Sequence, residues 1–264
     1  MHLDEIVARK RAFWRTGGHP VPTSGPARPD GAGRFRAALS KPDVSVIAEV
    51  KPKSPSKGDL WPAAEAVPLA KEYAAGGARA VSVLADEPFF GGSPALVAEV
   101  RSAVELPVLF KDFVVDTRQV ALAHACGADA VLVIVRSLAD AELTDVLAAA
   151  AEYGLDALVE TFTAEDIERA LAAGADLIGV NNRDLRTFSV DLDNSARLRA
   201  RIPDGVVTVS ESGLRHRADV TRIGADGYDA CLVGETLLTS GSPADAVRDL
   251  TGVPVRRPTR EARA

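Results

Sequence analysis

The sequence is poor in the residues on which metal and thiol chemistry depend. It holds only two cysteines, Cys126 and Cys231, in 264 residues. Both lie among apolar neighbours, which is typical of buried, reduced thiols in a cytosolic protein. The four histidines, all in predicted helices or loops, are His2, His19, His124 and His216. Because they form no cluster with cysteine, the sequence offers no zinc-type spacing, and we expect no metal site.

Several motifs and segments are also missing. No Gly-x-Gly-x-x-Gly follows a predicted strand, which weakens a dinucleotide-binding interpretation, and no Gly-x-Ser-x-Gly supports a serine hydrolase. The longest apolar run, 130–135, is far shorter than the roughly 20 residues that span a bilayer. The first residues include acids where a signal peptide would be basic and then apolar. We therefore expect a soluble, cytoplasmic protein.

Positive charge is scarce relative to negative charge. Lysine and arginine total 31 and aspartate and glutamate total 37, which gives a net charge of −6. This balance argues against a broad surface for nucleic acid or for an anionic membrane, so we expect neither as a partner. Any anionic ligand must then be held by a local basic cluster.

From residue 44 onward, apolar runs alternate with Ala-, Leu- and Glu-rich segments of helical periodicity. The predicted strands span 44–51, 80–86, 107–112, 130–135, 156–161, 177–182, 206–211 and 230–234. The predicted helices span 63–75, 94–104, 117–125, 139–153, 164–173, 193–201, 216–223 and 243–250. These strands are apolar on both faces, as expected for a parallel sheet covered by helices.

A short sequence motif that begins with glycine also recurs along the chain. It begins at Gly77, Gly127 and Gly174, which are 50 and 47 residues apart, about two strand–helix units. Eight strand–helix units with this internal repeat predict an α/β fold. They favour a single (β/α)8 TIM barrel over an open doubly wound sheet.

The barrel is predicted to occupy residues 44–252. Residues 1–43 form an N-terminal extension, with a short amphipathic helix over 2–14. Proline and glycine crowd residues 16–33, which predicts a surface excursion or mobile segment. Residues 253–264 are predicted to be a disordered tail.

Charged residues close the predicted strands, where a barrel of this kind carries its chemistry. Glu49 and Lys51 are two apart and share one face of the first strand. Lys111 ends an apolar run and would act as a general acid or Schiff-base former, unless it is a surface lysine. Burial of Glu160 would suit it to acid–base work, although it could also be an ion-pair partner.

Three loops suggest a phosphate site. The loop 54–58 is rich in serine, lysine and glycine, and the segment 210–213 ends the seventh strand in a hydroxyl and a glycine. Gly234 closes the eighth strand just before a possible short helix that begins at Glu235. Loops after the last two strands, with an extra helix, are the usual phosphate site of this fold.

Seven ordered motifs between about residues 34 and 250 carry a family resemblance. They are Ile47-Ala-Glu-Val-Lys-Pro-Lys-Ser-Pro-Ser-Lys-Gly58, Phe89-Phe-Gly-Gly-Ser93, Phe110-Lys-Asp-Phe113, Leu158-Val-Glu160, Ile178-Gly-Val-Asn-Asn-Arg-Asp-Leu185, Ser210-Glu-Ser-Gly213 and Leu232-Val-Gly-Glu235. In these motifs the chain resembles the indole-3-glycerol phosphate synthases of tryptophan biosynthesis. The resemblance implies a TIM barrel lyase without metal or organic cofactor. We expect the chain to be a monomer or weak oligomer.

The resemblance also implies a substrate and a set of roles. The substrate is the phosphorylated, anthranilate-derived 1-(2-carboxyphenylamino)-1-deoxyribulose 5-phosphate, whose pyrrole ring closes with loss of CO₂ and water. Lys111 would be the general acid and Glu160 its base-side partner. Supporting catalytic roles fall to Lys51, Glu49, Glu211 and Asn181. Contacts with substrate carboxylate or phosphate fall to Ser54, Arg183, Ser212, Gly213, Gly234 and Glu235. The aromatic pocket is assigned to Phe90, Phe113, Leu132 and Leu185.

Two other functions remain open on the residues alone. One is a related phosphate-binding barrel isomerase or lyase, which strand-end lysine and glutamate would also suit. The other is a non-catalytic barrel that serves as a binding subunit. The chain departs from the family at its N-terminus, where 17–33 lack helical character, and at Pro52, where a basic residue is common.

Overall fold

A computed structural model describes residues 3–22, 32–55 and 57–256. Eight parallel strands close into a barrel in the order β1-β10-β9-β8-β7-β6-β5-β4. These strands are β1 (Ser45–Val50), β4 (Ala80–Leu84), β5 (Val108–Lys111), β6 (Ala130–Ile134), β7 (Asp156–Thr161), β8 (Leu177–Asn181), β9 (Val207–Glu211) and β10 (Ala230–Val233). The predicted (β/α)8 barrel is confirmed.

The helices lie between consecutive barrel strands, with two more before the first strand and two after the last one. They are α1 (Leu3–Arg15), α2 (Arg34–Leu39), α3 (Ala66–Gly76), α4 (Glu87–Phe90), α5 (Pro94–Ala103), α6 (Thr117–Ala125), α7 (Asp140–Glu152), α8 (Ala164–Ala172), α9 (Asp193–Arg199), α10 (Arg217–Asp226), α11 (Glu235–Leu238) and α12 (Pro243–Leu250). None of the described helices is long and apolar enough to cross a membrane.

The strands are apolar on both faces because each face belongs to a different core. Alternate residues such as Val81 and Val83 point outward and pack beneath the helices. Residues such as Ile47, Leu109 and Leu158 point inward and fill the barrel. Each predicted barrel strand matches an observed one to within two residues. The largest difference is at β4, which ends at Leu84 because Asp86 already caps the next helix.

The N-terminal extension closes both ends of the barrel. In α1, Leu3 and Ile6 pack with the interior cluster at the mouth, and the Leu3 amide donates to the Leu185 carbonyl at 3.4 Å. In α2, Phe35 and Leu39 are buried in the same cluster from the opposite end. Residues 23–31 of the predicted excursion lie outside the described part of the chain.

The C-terminal segment is partly described. The Val44 amide donates to the Val253 carbonyl at 2.7 Å, and Val253 is buried. These contacts hold residues 253–256 against the start of β1. Residues 257–264 of the predicted tail lie outside the described residues.

A hairpin and a short helix beside the barrel mouth were not predicted. The loop after β1 forms an antiparallel hairpin of β2 (Lys53–Ser54) and β3 (Gly58–Asp59). Asp86 precedes the short helix α4 and caps it, since its carboxylate accepts from the amides of Phe89 and Phe90. An aspartate cap is a recognisable helix start, but a helix of four residues is too short for a periodic pattern.

Candidate active site

The carboxyl ends of the barrel strands surround a cavity of about 500 Å³. Fifteen of the sixteen predicted site residues line it. They are Glu49, Lys51, Phe90, Lys111, Phe113, Leu132, Glu160, Asn181, Arg183, Leu185, Glu211, Ser212, Gly213, Gly234 and Glu235. The convergence follows from the topology, since all eight strands run parallel and end at the same rim.

Glu49 is the second-last residue of β1 and is almost fully buried, and the Lys51 ammonium contacts its Oε1 atom. Burial would raise the pKa of the Glu49 carboxyl, but Lys51, Lys111 and then Arg183 lower it, and the net shift is downward. Glu49 is therefore an ionised carboxylate that balances the two lysines.

Lys111 is the last residue of β5, and its side chain lies in the cavity rather than on the outer surface. Burial lowers the pKa of this lysine, whereas Glu49, Glu160 and Glu211 raise it, with a net upward shift. The side chain therefore remains an ammonium surrounded by carboxyl groups, as a general acid requires, and is not available as the free amine that a Schiff base needs.

Glu160 on β7 and Glu211 on β9 lie at the carboxyl ends of their strands, with β8 between them. Asn181 lies between them on β8, and its Nδ2 donates to Glu160 Oε1 at 3.0 Å. Burial and the neighbouring Glu160 raise the pKa of Glu211 well above its usual range, although Lys111 opposes this shift. This shift favours the neutral acid form of Glu211 over the carboxylate.

The space for Glu211 is provided by a glycine. A Cβ atom at Gly179 would lie 2.0 Å from Glu211 Oε1, so any side chain there would displace the carboxyl group. Gly234 provides the same clearance for Glu49, since a Cβ atom there would lie 2.7 Å from Glu49 Oε1. The barrel mouth accommodates its buried acids by omitting side chains opposite them.

The loop after β9 has an unusual backbone. Ser212 and Gly213 both lie in the left-handed region, with φ of 66° and 83°. Asn182 Nδ2 supports the turn by donating to the Ser212 carbonyl at 3.1 Å. A Cβ atom at Gly213 would lie 2.5 Å from Val190, so glycine is required for space as well as conformation. A serine at positive φ has a strained backbone, and strain of this kind is concentrated at functional sites.

Cations gather around this loop, and several were not predicted. Lys57 and Arg215 line the cavity together with Lys51 and Arg183. Lys57 Nζ lies 3.4 Å from Glu235 Oε1, so the Glu235 side chain is occupied by the hairpin. Lys57 lies inside the predicted anion-binding loop, and Arg215 follows the Ser210–Gly213 motif. Their positions next to these motifs could have identified both as candidate anion contacts. The cations supply the local basic cluster that a net-acidic protein needs for an anion.

The same cavity also has an apolar part, which contains the predicted aromatic pocket. The rings of Phe90 and Phe113 lie 5.8 Å apart at 35°, and Leu132 and Leu185 complete the predicted set. Ile134 also lines the cavity and was missed. The signal was available, because Ile134 is two residues from Leu132 and shares its strand face.

Ser54 is the one predicted site residue that does not line the cavity. It is buried in the hairpin, where its Oγ accepts from the Lys57 amide at 3.1 Å. Its observed contact shapes the turn that carries Lys57. Ser56, in the same loop, lies outside the described residues. Within the described ranges, no group of three or more histidine, cysteine or acidic side chains is arranged to hold a metal ion.

Comparisons with known proteins agree with this architecture. The family model described as indole-3-glycerol phosphate synthase matches residues 20–250. The chain is 52% identical over 218 residues to indole-3-glycerol phosphate synthase 2 of Streptomyces coelicolor, covering 83% of this chain and 84% of that protein. It is 44% identical over 256 residues to the indole-3-glycerol phosphate synthase of Desulfotalea psychrophila, covering 94% and 97%.

Solved structures of more distant proteins share the fold. The 3-hexulose-6-phosphate synthase of Salmonella typhimurium superposes with a TM-score of 0.65 at 15% identity, over 78% of this chain and 96% of that one. The thiamine phosphate pyrophosphorylase of Pyrococcus furiosus gives 0.59 at 17% identity, over 80% and 95%. At these identities the likeness concerns the barrel alone.

Proposed function

The chain belongs to the indole-3-glycerol phosphate synthase family, and we propose that its cavity closes the pyrrole ring of 1-(2-carboxyphenylamino)-1-deoxyribulose 5-phosphate. The family's carboxy-lyase reaction acts on a small phosphorylated molecule of tryptophan biosynthesis. One observation carries the assignment of this reaction to the cavity. An ammonium surrounded by carboxyl groups shares one cavity, large enough for a small molecule, with aromatic and aliphatic side chains and with further cations.

The two sides of the cavity suit the two ends of this substrate. The anthranilate ring would pack against Phe90 and Phe113, since aromatic rings associate through offset or tilted contacts. The phosphate would lie among the cations near Ser212 and Gly213, where the chain turns beside the short helix α11. This orientation places the ketone of the ribulose chain between the two sides, near Lys111.

In the first step, the ring carbon that bears the carboxylate attacks the ketone carbon. Lys111 donates a proton to the ketone oxygen, which becomes a hydroxyl group as the carbon–carbon bond forms. The pKa of Lys111 favours this role, because the surrounding acids keep it protonated. A positioned ammonium next to developing oxyanion charge stabilises the transition state by several kcal/mol.

CO₂ then leaves, and its bonding electrons restore the aromatic ring. In the last step Glu160 removes a proton from the carbon beside the nitrogen, and the hydroxyl group departs as water with a proton from the site. Asn181 holds Glu160 by the 3.0 Å hydrogen bond and would orient the hydroxyl groups of the substrate. Lys51 would serve as a second acid or anion anchor, and Glu49 and Glu211 would tune the lysines.

The test is turnover of this substrate by the purified chain in the presence of a metal chelator. Indole absorbance should appear, and mass spectrometry should find a product lighter by one CO₂ and one water. A folded protein that binds the substrate but yields no such product would contradict the proposal. A product of another mass would instead favour a different phosphate-binding barrel reaction.

A further inference from the structure

A buried ion cluster joins the N-terminal helix to the barrel mouth. Lys10 of α1 lies 2.9 Å from Asp86 Oδ1 and 2.6 Å from Asp112 Oδ1. The three residues are 6%, 0% and 5% exposed, respectively. One cation between two buried carboxylates leaves a net charge of −1, and such a cluster is costly to bury unless its geometry is well fixed.

Asp86 connects this cluster to the apolar wall of the cavity. It follows β4 and caps α4, accepting from the amides of Phe89 at 2.8 Å and Phe90 at 3.2 Å. Because α4 has only four residues, this cap contributes much of what holds Phe90 in place.

Asp112 connects the cluster to the catalytic lysine. It follows Lys111 directly in the chain and lines the cavity itself. Its Oδ1 accepts from the Phe113 amide at 2.8 Å, and its Oδ2 accepts from Gln119 at 2.9 Å. Together with Lys10, these donors hold the Asp112 carboxylate in place.

Lys10 is charged despite its burial. Burial lowers the pKa of this lysine, but Asp112 and Asp86 raise it, and the net shift is upward. Its removal would leave two buried carboxylates without their cation, and both would then be driven to shift toward water or to take up a proton.

We propose that Lys10 is a positioning residue for the ring-closure reaction: its ammonium fixes Asp86 and Asp112 so that Phe90 and Lys111 face the same substrate. The inference rests on the proposed function. Helix α1 then does more than cover the barrel, because it helps to position the residues that contact the substrate.

The same helix offers a matched control. Arg11, the next residue, also ties α1 to the barrel, with two hydrogen bonds to Glu142 at 2.6 and 2.7 Å. Glu142 lies on α7 and touches no residue of the cavity wall in the described contacts. Arg11→Met therefore loosens α1 without disturbing Asp86 or Asp112.

The experiment compares kcat and KM of Lys10→Met and Arg11→Met with the intact enzyme. In Lys10→Met, kcat should fall about 10- to 100-fold, because small displacements of reacting groups cost this much. In Arg11→Met, kcat should change by less than about twofold, because an ion pair that is one-third exposed contributes little. Equal losses in both variants would mean that Lys10 only anchors the helix.

A second variant covers the case in which Lys10→Met folds poorly. Lys10→Met/Asp86→Asn restores the net charge of −1 and keeps an asparagine cap on α4. Thermal stability should recover in this double variant while kcat stays low, because Asp112 still lacks its ammonium. Recovery of kcat together with stability would overturn the proposal. Inactive wild-type enzyme would count against the proposed function, whereas an active wild type with active Lys10 variants would refute only this inference.

Discussion

The two ends of the barrel both bury acidic side chains, but they surround them differently. At the lower end, Asp129 and Asp229 precede β6 and β10. Asp129 Oδ2 accepts from the Val108 amide and Arg34, and Asp229 Oδ2 accepts from the amide and hydroxyl of Thr208, all at 2.9–3.1 Å. These acids join one strand to the next and serve the fold.

At the mouth, the acids face one another. Burial and the neighbouring Glu160 raise the pKa of Glu211, so one acid acts directly on the other. An arrangement of this kind reduces stability, and it persists where the chemistry needs it. The comparison shows that a buried acid is informative about function through its partners and not through burial alone.

The largest effect should follow from removing the catalytic acid at the mouth. Lys111→Met should lower kcat by about 10²- to 10⁴-fold, the usual range for general acid–base groups. Steady-state assays by indole absorbance measure it. The matched control is Lys71→Met on the outer face of α3, which should retain full activity because Lys71 is exposed and outside the cavity. Equal activity of the two variants would remove Lys111 from the mechanism.

The lower end should show the opposite behaviour. Asp229→Ala leaves the Thr208 amide without its carboxylate acceptor, which should cost about 1–3 kcal/mol of unfolding free energy. Below its melting temperature the variant should keep the kcat of the intact enzyme. Urea denaturation and the same assay test both parts. A kcat that falls while stability is unchanged would reverse the contrast between the two ends.

A smaller effect should appear in the pH dependence of stability. The folded state raises the pKa of Glu211, so it binds a proton that the unfolded chain releases near pH 4.3. Protonated Glu211 therefore contributes to the unfolding free energy of the wild type. This contribution is fully present below that pH and is lost as the pH rises through the folded-state pKa. Glu211→Gln cannot titrate, so its stability relative to wild type should increase with pH.

For one proton this slope cannot exceed about 1.4 kcal/mol per pH unit. Denaturation of both proteins between pH 5 and 8 measures it. Parallel stability curves would show that Glu211 is not held neutral in the folded protein.

The barrel and most of the cavity lining could be predicted from the sequence. The alternation of apolar strands and helical segments predicted the barrel, because each strand is covered on both faces. Lys111 and Glu160 were recognisable as charged ends of apolar strands, which is where this fold places its cavity. Such signals are local in sequence and depend only on periodicity.

The remainder depends on contacts between distant segments. Lys10 is an ordinary polar position in an amphipathic helix until α1 packs against Asp86 and Asp112. The short helix α4 and the hairpin after β1 carry too few residues for a periodic signal. Ser54 was predicted as a substrate contact, but the structure places it in the hairpin, away from the cavity lining. No local pattern distinguishes a loop serine that faces a ligand from one that shapes its own turn.

The most direct test of the contrast is Glu160→Gln, measured for kcat and unfolding free energy on the same preparation. The amide keeps the shape of the side chain and an oxygen that can accept from Asn181, but it cannot remove a proton. We predict a fall in kcat of about 10²-fold or more. Stability should stay close to that of wild type, because the amide can keep the hydrogen bond from Asn181 and Glu211 can then ionise beside Lys111. Unchanged turnover, or a loss of turnover that only follows unfolding, would contradict the account.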